Sequence, residues 1–157
     1  MIKQIIHWIF QSYKVREKVK DFAKNINNKK ILEIGSGQNP SGKYFDYTNS
    51  FKTSDIDTIN AVNMDFKEEF DVIICINVLD DIFEVQKAID NIYNALKENG
   101  QVFVIVPAFY PIHDIPNDYW RFTEFSLRKL FLRFNNIEVS IIGLKRFPSY
   151  YVLTGIK

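Results

Sequence analysis

Two groups of residues have types and spacings that can do chemistry. The first is the turn Glu33-Ile34-Gly35-Ser36-Gly37, which runs on through Gln38 and Asn39 to Pro40. Glycine in such a turn lets the backbone bend tightly and approach a ligand. An acid about 20 residues after a Gly-rich turn is placed to take a ribose diol. Asp55 stands at that distance from Gly35, and Asp57 competes for the role. The charge of the turn then selects the ligand. A dinucleotide would lay a pyrophosphate beside the Glu33 carboxylate, and Pro40 occupies the place of the third glycine of G-x-G-x-x-G. An acid followed by Gly-x-Gly suits a cationic ligand instead. S-adenosylmethionine (SAM) carries an ammonium and a sulfonium and no phosphate. A dinucleotide site and a purely structural turn stay open as alternatives.

The second group is His113-Asp114-Ile115-Pro116-Asn117-Asp118-Tyr119-Trp120-Arg121-Phe122. Methyl transfer from a sulfonium is an in-line displacement, in which positioning of the nucleophile supplies much of the acceleration. A hydroxyl acceptor also needs a base, and His113 is the candidate because an unperturbed imidazole titrates near neutrality. Asp118 or Asp114 can orient it, act as the base or bind a cationic acceptor. Tyr119 and Trp120 can wall a ring-shaped acceptor, and Arg121 can hold a carboxylate or phosphate on it. The structural alternative is that Tyr119, Trp120 and Phe122 pack the loop while Arg121 pairs with Asp118. Asp81, in Asp80-Asp81, is a further candidate for substrate contact, against a plain exposed loop acid. No metal is expected, because Asp114 is adjacent to His113, no second histidine is near and His7 is at the far end of the chain. Cys75 lies in an apolar run and reads as a core residue.

These residues need elements to hold them. Apolar runs predict strands at Lys30–Ile34, Phe51–Asp55, Ala61–Met64, Asp71–Ile76, Gln101–Val106, Ile137–Ile142 and Tyr150–Thr154. Helical spacing predicts helices over Glu84–Lys97, stopped by Asn99-Gly100, and after Thr123 as N-cap. Ile2, Ile5, Ile6 and Ile9, then Val15, Val19, Phe22 and Ile26, predict an amphipathic helical segment over 1–28, packed on a SAM-binding domain over 29–157. Strands and helices in alternation imply a single-domain α/β, doubly wound sheet.

The chain has 157 residues, 46% apolar and 25% charged, with a net charge of +1, the composition of one globular domain and not of a disordered chain. No apolar run is long enough for a transmembrane segment. One cysteine excludes an internal disulfide. With no leader pattern at Met1–Phe10, the expected location is cytoplasmic. Residues 1–30 hold eight Lys and Arg against two acids, while the remainder carries net negative charge. A solvated helix face explains this excess, with a membrane surface as the rarer reading. Nucleic acid is not expected as a partner, because no continuous basic face with stacking residues follows residue 30.

Glu33-Ile-Gly35-Ser-Gly37 resembles motif I of class I SAM-dependent methyltransferases. Asp71-Val-Ile-Ile-Cys-Ile-Asn77-Val-Leu79, Leu96-Lys-Glu-Asn-Gly100-Gln-Val-Phe-Val-Ile-Val-Pro107 and His113 through Thr123 resemble later blocks of the small methyltransferase type 11 group. The resemblance implies a Rossmann-like, seven-stranded, mostly parallel sheet with a reversed last strand. It implies Glu33, Gly35, Ser36 and Gly37 around the methionine part of SAM, Asp55 with Ile56 at the ribose, Met64 and Asp65 beside the adenine, and Asn77 near the methionine or the substrate. The expected function is methyl transfer to an oxygen or nitrogen of a small-molecule acceptor, by family habit a sugar-linked one, with a homodimer or a partner subunit completing the site. Asn39 stands where the family has a small glycine, and Asp80-Asp81 where it often has Glu-His. These departures motivate the alternative, a non-catalytic SAM- or nucleoside-binding regulatory or assembly subunit.

Overall fold

The computed structural model describes residues 2–37, 40–54 and 60–157, and of residues 2–11 the backbone only. Six strands form one mixed sheet: β1 (Lys30–Ile34), β2 (Ser50–Ser54), β3 (Phe70–Ile76), β4 (Leu96–Pro107), β5 (Asn135–Leu144) and β6 (Phe147–Ile156). Their spatial order is β2-β1-β3-β4-β6-β5. β2, β1, β3 and β4 are mutually parallel, and β6 runs antiparallel to both β4 and β5. Three helices flank it, α1 (Ile2–Ala23), α2 (Val85–Ala95) and α3 (Glu124–Leu130).

The central strands are apolar on both faces because both faces are covered. Alternate residues sort accordingly. Leu32, Ile73, Cys75, Val102 and Val104 join Ala88, Ile89 and Ile92 of α2 and Leu127 of α3 in one core. Ile31, Val72, Ile74, Phe103 and Ile105 join Val19 and Ala23 of α1 in the other. Phe22 of α1 stacks on Phe103 at 4.4 Å and meets Phe45 edge-to-face at 6.5 Å. The α1 lysines pair locally with acids on the solvent side, Lys20 with Glu17 and Lys24 with Asp21. Thr123 caps α3 as the sequence predicts: its Oγ1 accepts from the Ser126 N–H, and Ser126 Oγ accepts from the Thr123 N–H. Cys75 is a free, fully buried thiol near the carboxyl end of β3, and burial pushes its pKa far up.

Two expectations fail together. Among the described residues the sheet has six strands and not seven, and Ala61–Met64 is a turn and not a strand. The turn closes on Asn60, whose carbonyl accepts from the Asn63 and Met64 amides and whose Oδ1 accepts from Val62 N–H. The Ala61 and Val62 carbonyls, which a strand would have given to a neighbour, accept instead from Nδ2 of Asn91 on α2, at 2.9 and 2.8 Å. A helix side chain thus replaces the strand partner. β2 is left at the sheet edge. α2 also stops two residues early, since Leu96 already pairs with Phe70 in β3.

Candidate active site

β1 connects to β2 on one side of the sheet, and β3 starts the other side. The switch point therefore lies between the carboxyl ends of β1 and β3, where a doubly wound sheet opens a crevice for ligands. Gly35 follows β1 and Asn77 follows β3, and both have positive φ, 68° and 52°. The two strand ends pass very close here. A Cβ on Gly35 would sit 2.3 Å from Cγ2 of Val78. Ser36 N–H donates to the Ser54 carbonyl and Asn77 N–H to the Ile105 carbonyl, so each turn is tied to the neighbouring strand.

Glu33 is buried at the end of β1. Its Oε2 accepts from the Ser41 N–H at 2.7 Å and its Oε1 from the Ser41 hydroxyl at 2.6 Å. It thereby staples the 3-10 turn Ser41–Tyr44 to β1. Burial raises the Glu33 pKa, opposed by the two Ser41 hydrogen bonds and by Lys43.

Two cavities meet at Gly35 and Asn77, which line both. One, of about 700 Å³, lies over Gly37, Ala61, Val78 and Ile82 and reaches Asp81 and Asp114. The other, of about 520 Å³, lies under α1, with Glu33 and Ser36 at its floor. Arg16 and Lys43 bring positive charge to it, and Tyr44, Tyr110 and Tyr150 bring aromatic rings. Volumes of this size suit small molecules and cofactors.

Beside the cleft, Asp80, Asp81, His113 and Asp118 converge. His113 Nε2 lies 3.2 Å from Asp80 Oδ2 and 3.7 Å from Asp81 Oδ1, while Nδ1 lies 3.4 Å from Asp118 Oδ2. Nδ1 also lies 3.2 Å from the Pro111 carbonyl. Asp118 accepts the His113 backbone N–H at 3.0 Å and is forked by Arg121, whose Nη2 donates to Oδ2 at 2.8 Å. That guanidinium holds the Asp118 carboxyl far below the usual range. Asp80 is fully buried, and neither of its carboxylate oxygens has a hydrogen-bond partner among the described residues. The 3.2 Å approach of Nε2 is thus a close contact without hydrogen-bond alignment. Burial, then the Asp81 charge, pushes the Asp80 pKa up to about 6, and burial also raises that of Asp81.

Other expected residues either fall outside the described ones or are placed apart from the cavities. Asp55, Ile56, the competing Asp57 and Asn39 lie outside the described residues. Met64 is buried in the core and Asp65 is exposed; neither lines either cavity. Tyr119 donates its hydroxyl hydrogen to Asn117 Oδ1 and packs edge-to-face on Phe83. Trp120 stacks on Phe83 and donates Nε1–H to the Ile82 carbonyl. Arg121 gives its remaining donors to the carbonyls of Tyr110, Pro111 and Trp120, so its whole fork is spent holding the loop. Sequence reading missed Arg16, Lys43, Tyr110 and Tyr150. Only the register of β4 on β6, which pairs Pro107 with Tyr150, brings the two tyrosines together, with their rings 5.5 Å apart. It also took Asp80 for an exposed acid, because the tuck of Leu79–Asp81 into the core has no local signal.

No curated protein matches the sequence significantly. Solved structures match in fold. The 1,6-didemethyltoxoflavin-N1-methyltransferase of Burkholderia thailandensis, solved with 1,6-didemethyltoxoflavin and S-adenosylhomocysteine, superposes with a TM-score of 0.75 at 14% identity, over 90% of this chain and 77% of that one. The phosphoethanolamine N-methyltransferase 2 of Haemonchus contortus, solved with phosphomonomethylethanolamine and S-adenosylhomocysteine, gives 0.73 at 11% identity. There the overlap is 92% of this chain and 52% of that one, about half its length. A family model described as a methyltransferase domain matches residues 6–135. The chain therefore belongs to the methyltransferase domain family, as a class I enzyme whose methyl donor is S-adenosylmethionine.

Proposed function

We propose that the enzyme moves the SAM methyl group to an oxygen or nitrogen of a small acceptor held at the carboxyl edge of the sheet. The observation that carries this is the cleft at the switch point, where Gly35 and Asn77 join two cavities. In this reading the adenosine lies over Gly37, Ala61 and Val78, with Asp55 at the ribose, and the methionine end lies toward Glu33 and Ser36. The acceptor enters under α1 and reaches the junction of the two cavities at Asn77, on the side of Asp81, so residues 1–28 serve as its cover and 29–157 as the SAM domain. Arg16 and Lys43 favour an acidic group on the acceptor, and the three tyrosines favour a flat or sugar ring.

The sulfonium loses its methyl to the acceptor lone pair, S-adenosylhomocysteine leaves and the acceptor releases one proton. The Asp81–His113 cluster takes that proton through Asp81, which opens on the larger cavity. His113 has Nε2 against Asp80 and Nδ1 against Asp118, so it acts by positioning these carboxylates. The two N-methyltransferases of similar fold act on small molecules with the donor product bound, which supports the acceptor class. Calorimetric titration with S-adenosylhomocysteine, with NAD as control, tests the donor site. Micromolar binding of the first ligand alone, weakened by Asp55→Ala, is expected. Absence of binding, or equal binding of NAD, would reject the proposal.

A further inference from the structure

We propose that Asp80, Asp81 and His113 form a site for one divalent first-row metal ion. The first ground is an unsatisfied set of ligands. Both oxygens of Asp80 and Oδ1 of Asp81 are buried without a hydrogen-bond partner among the described residues. Asp80 is 0% exposed. Buried carboxylate oxygens left this way are costly and call for an ion or a water. The second ground is distance. Metal–ligand bonds of about 2.1 Å set neighbouring donor atoms about 3.0 Å apart in an octahedron and about 3.4 Å apart in a tetrahedron. His113 Nε2 stands 3.2 Å from Asp80 and 3.7 Å from Asp81, and the donor atoms of the cluster all lie within 4.8 Å of one another.

The third ground is the orientation of the imidazole. Asp118 and the Pro111 carbonyl both lie on the Nδ1 side. The Pro111 carbonyl, an acceptor 3.2 Å from Nδ1, favours the tautomer with the hydrogen there, which leaves Nε2 unprotonated on the side of Asp80 and Asp81; Arg121 Nη2 lies farther from Nδ1, at 3.5 Å. Carboxylates orient metal-ligating histidines in this way. Charge agrees as well. Arg121 is forked onto Asp118, so the Asp80 and Asp81 carboxylates have no committed counter-charge, and a dication balances both. One nitrogen and two oxygens suit Mn2+, Fe2+ or Zn2+ better than Mg2+. Asp81 opens on the larger cavity, so an oxygen ligand could reach the ion and be polarised. That use rests on the proposed methyl transfer; the site itself does not.

The test is titration of chelator-treated protein with Mn2+ near neutral pH, read by the electron paramagnetic resonance of free Mn2+. One Mn2+ should bind per chain, Zn2+ should displace it, and Mg2+ should compete weakly. Asp81→Asn, on a partly exposed side chain, and His113→Ala should each weaken binding at least about tenfold, and Asp118→Asn, acting through His113, by about ten- to a hundredfold. Circular dichroism confirms that each variant is folded. Absence of one-to-one binding, or equal affinity in folded Asp81→Asn and His113→Ala, would overturn the site. Binding of S-adenosylhomocysteine in the presence of chelator should be unchanged, so failure here leaves the donor site standing.

Discussion

Gly35 should tolerate no side chain, and the reason can be divided into two measurable parts. A Cβ there would lie 2.3 Å from Val78 Cγ2, and the residue has φ +68°. The left-handed backbone costs a non-glycine residue about 1–2 kcal/mol. Forcing the methyl against Val78 adds an overpacking cost of about 1–3 kcal/mol. Gly35→Ala should therefore destabilise the protein by about 2–5 kcal/mol, read from the urea midpoint at constant m-value. Val78→Ala removes the atom that is struck and costs about 1–2 kcal/mol on its own. In that background Gly35→Ala should cost only the backbone part. The double-mutant cycle should thus show a favourable coupling of about 1–3 kcal/mol. Coupling below about 0.5 kcal/mol would refute the argument, because it would mean that the strand ends do not meet at Val78.

Other expected outcomes follow from single contacts. Asn91→Ala leaves the Ala61 and Val62 carbonyls without their donor and should cost about 1–3 kcal/mol in chemical denaturation. Arg121→Lys cannot rebuild the fork on Asp118 or reach three carbonyls, so limited proteolysis should find the 110–121 loop opened nearly as far as in Arg121→Ala. Thr123→Ala should cost about 1 kcal/mol by loss of the α3 cap, visible as a lower melting temperature. Glu33 has a folded pKa raised above its ordinary 4.5, so its protonated form favours folding. That stability is present below the ordinary value and lost as pH rises through the raised one. Denaturation of Glu33→Gln across that window should show a shallower fall with pH than wild type.

The parts of the fold that are legible in the sequence are those whose signal is local. β1, β3 and β4 appear as apolar runs because both faces of each strand are buried, and α2 and α3 appear through spacing and a cap. The Gly-rich turn at Gly35 is legible because its backbone demands the residue. The expected strand at Ala61–Met64 has the right residue types but loses its partner to the Asn91 side chain, a long-range choice that no periodicity records. The same holds for the site. His113 and Asp118 stand out as residue types, but the roles of Asp80 and Tyr150 depend on how Leu79–Asp81 and β6 are brought against them. Trp120 and Arg121 look like binding residues, but Arg121 is occupied within its own loop and Trp120 against Ile82 and Phe83.

Cys75 gives the protein a built-in reporter. It is the chain's single thiol, it sits at 0% exposure in the middle of the sheet, and its thiolate is strongly disfavoured. A thiol reagent can reach it only when the layer of α2 and α3 lifts from β3. Its alkylation rate therefore counts openings of that core layer and ignores fraying at α1 or the loops. Ligands that clamp the ends of β1 and β3 should slow that rate in proportion to their binding, which makes one unmodified cysteine a label-free way to rank donors, acceptors and ions on the native enzyme.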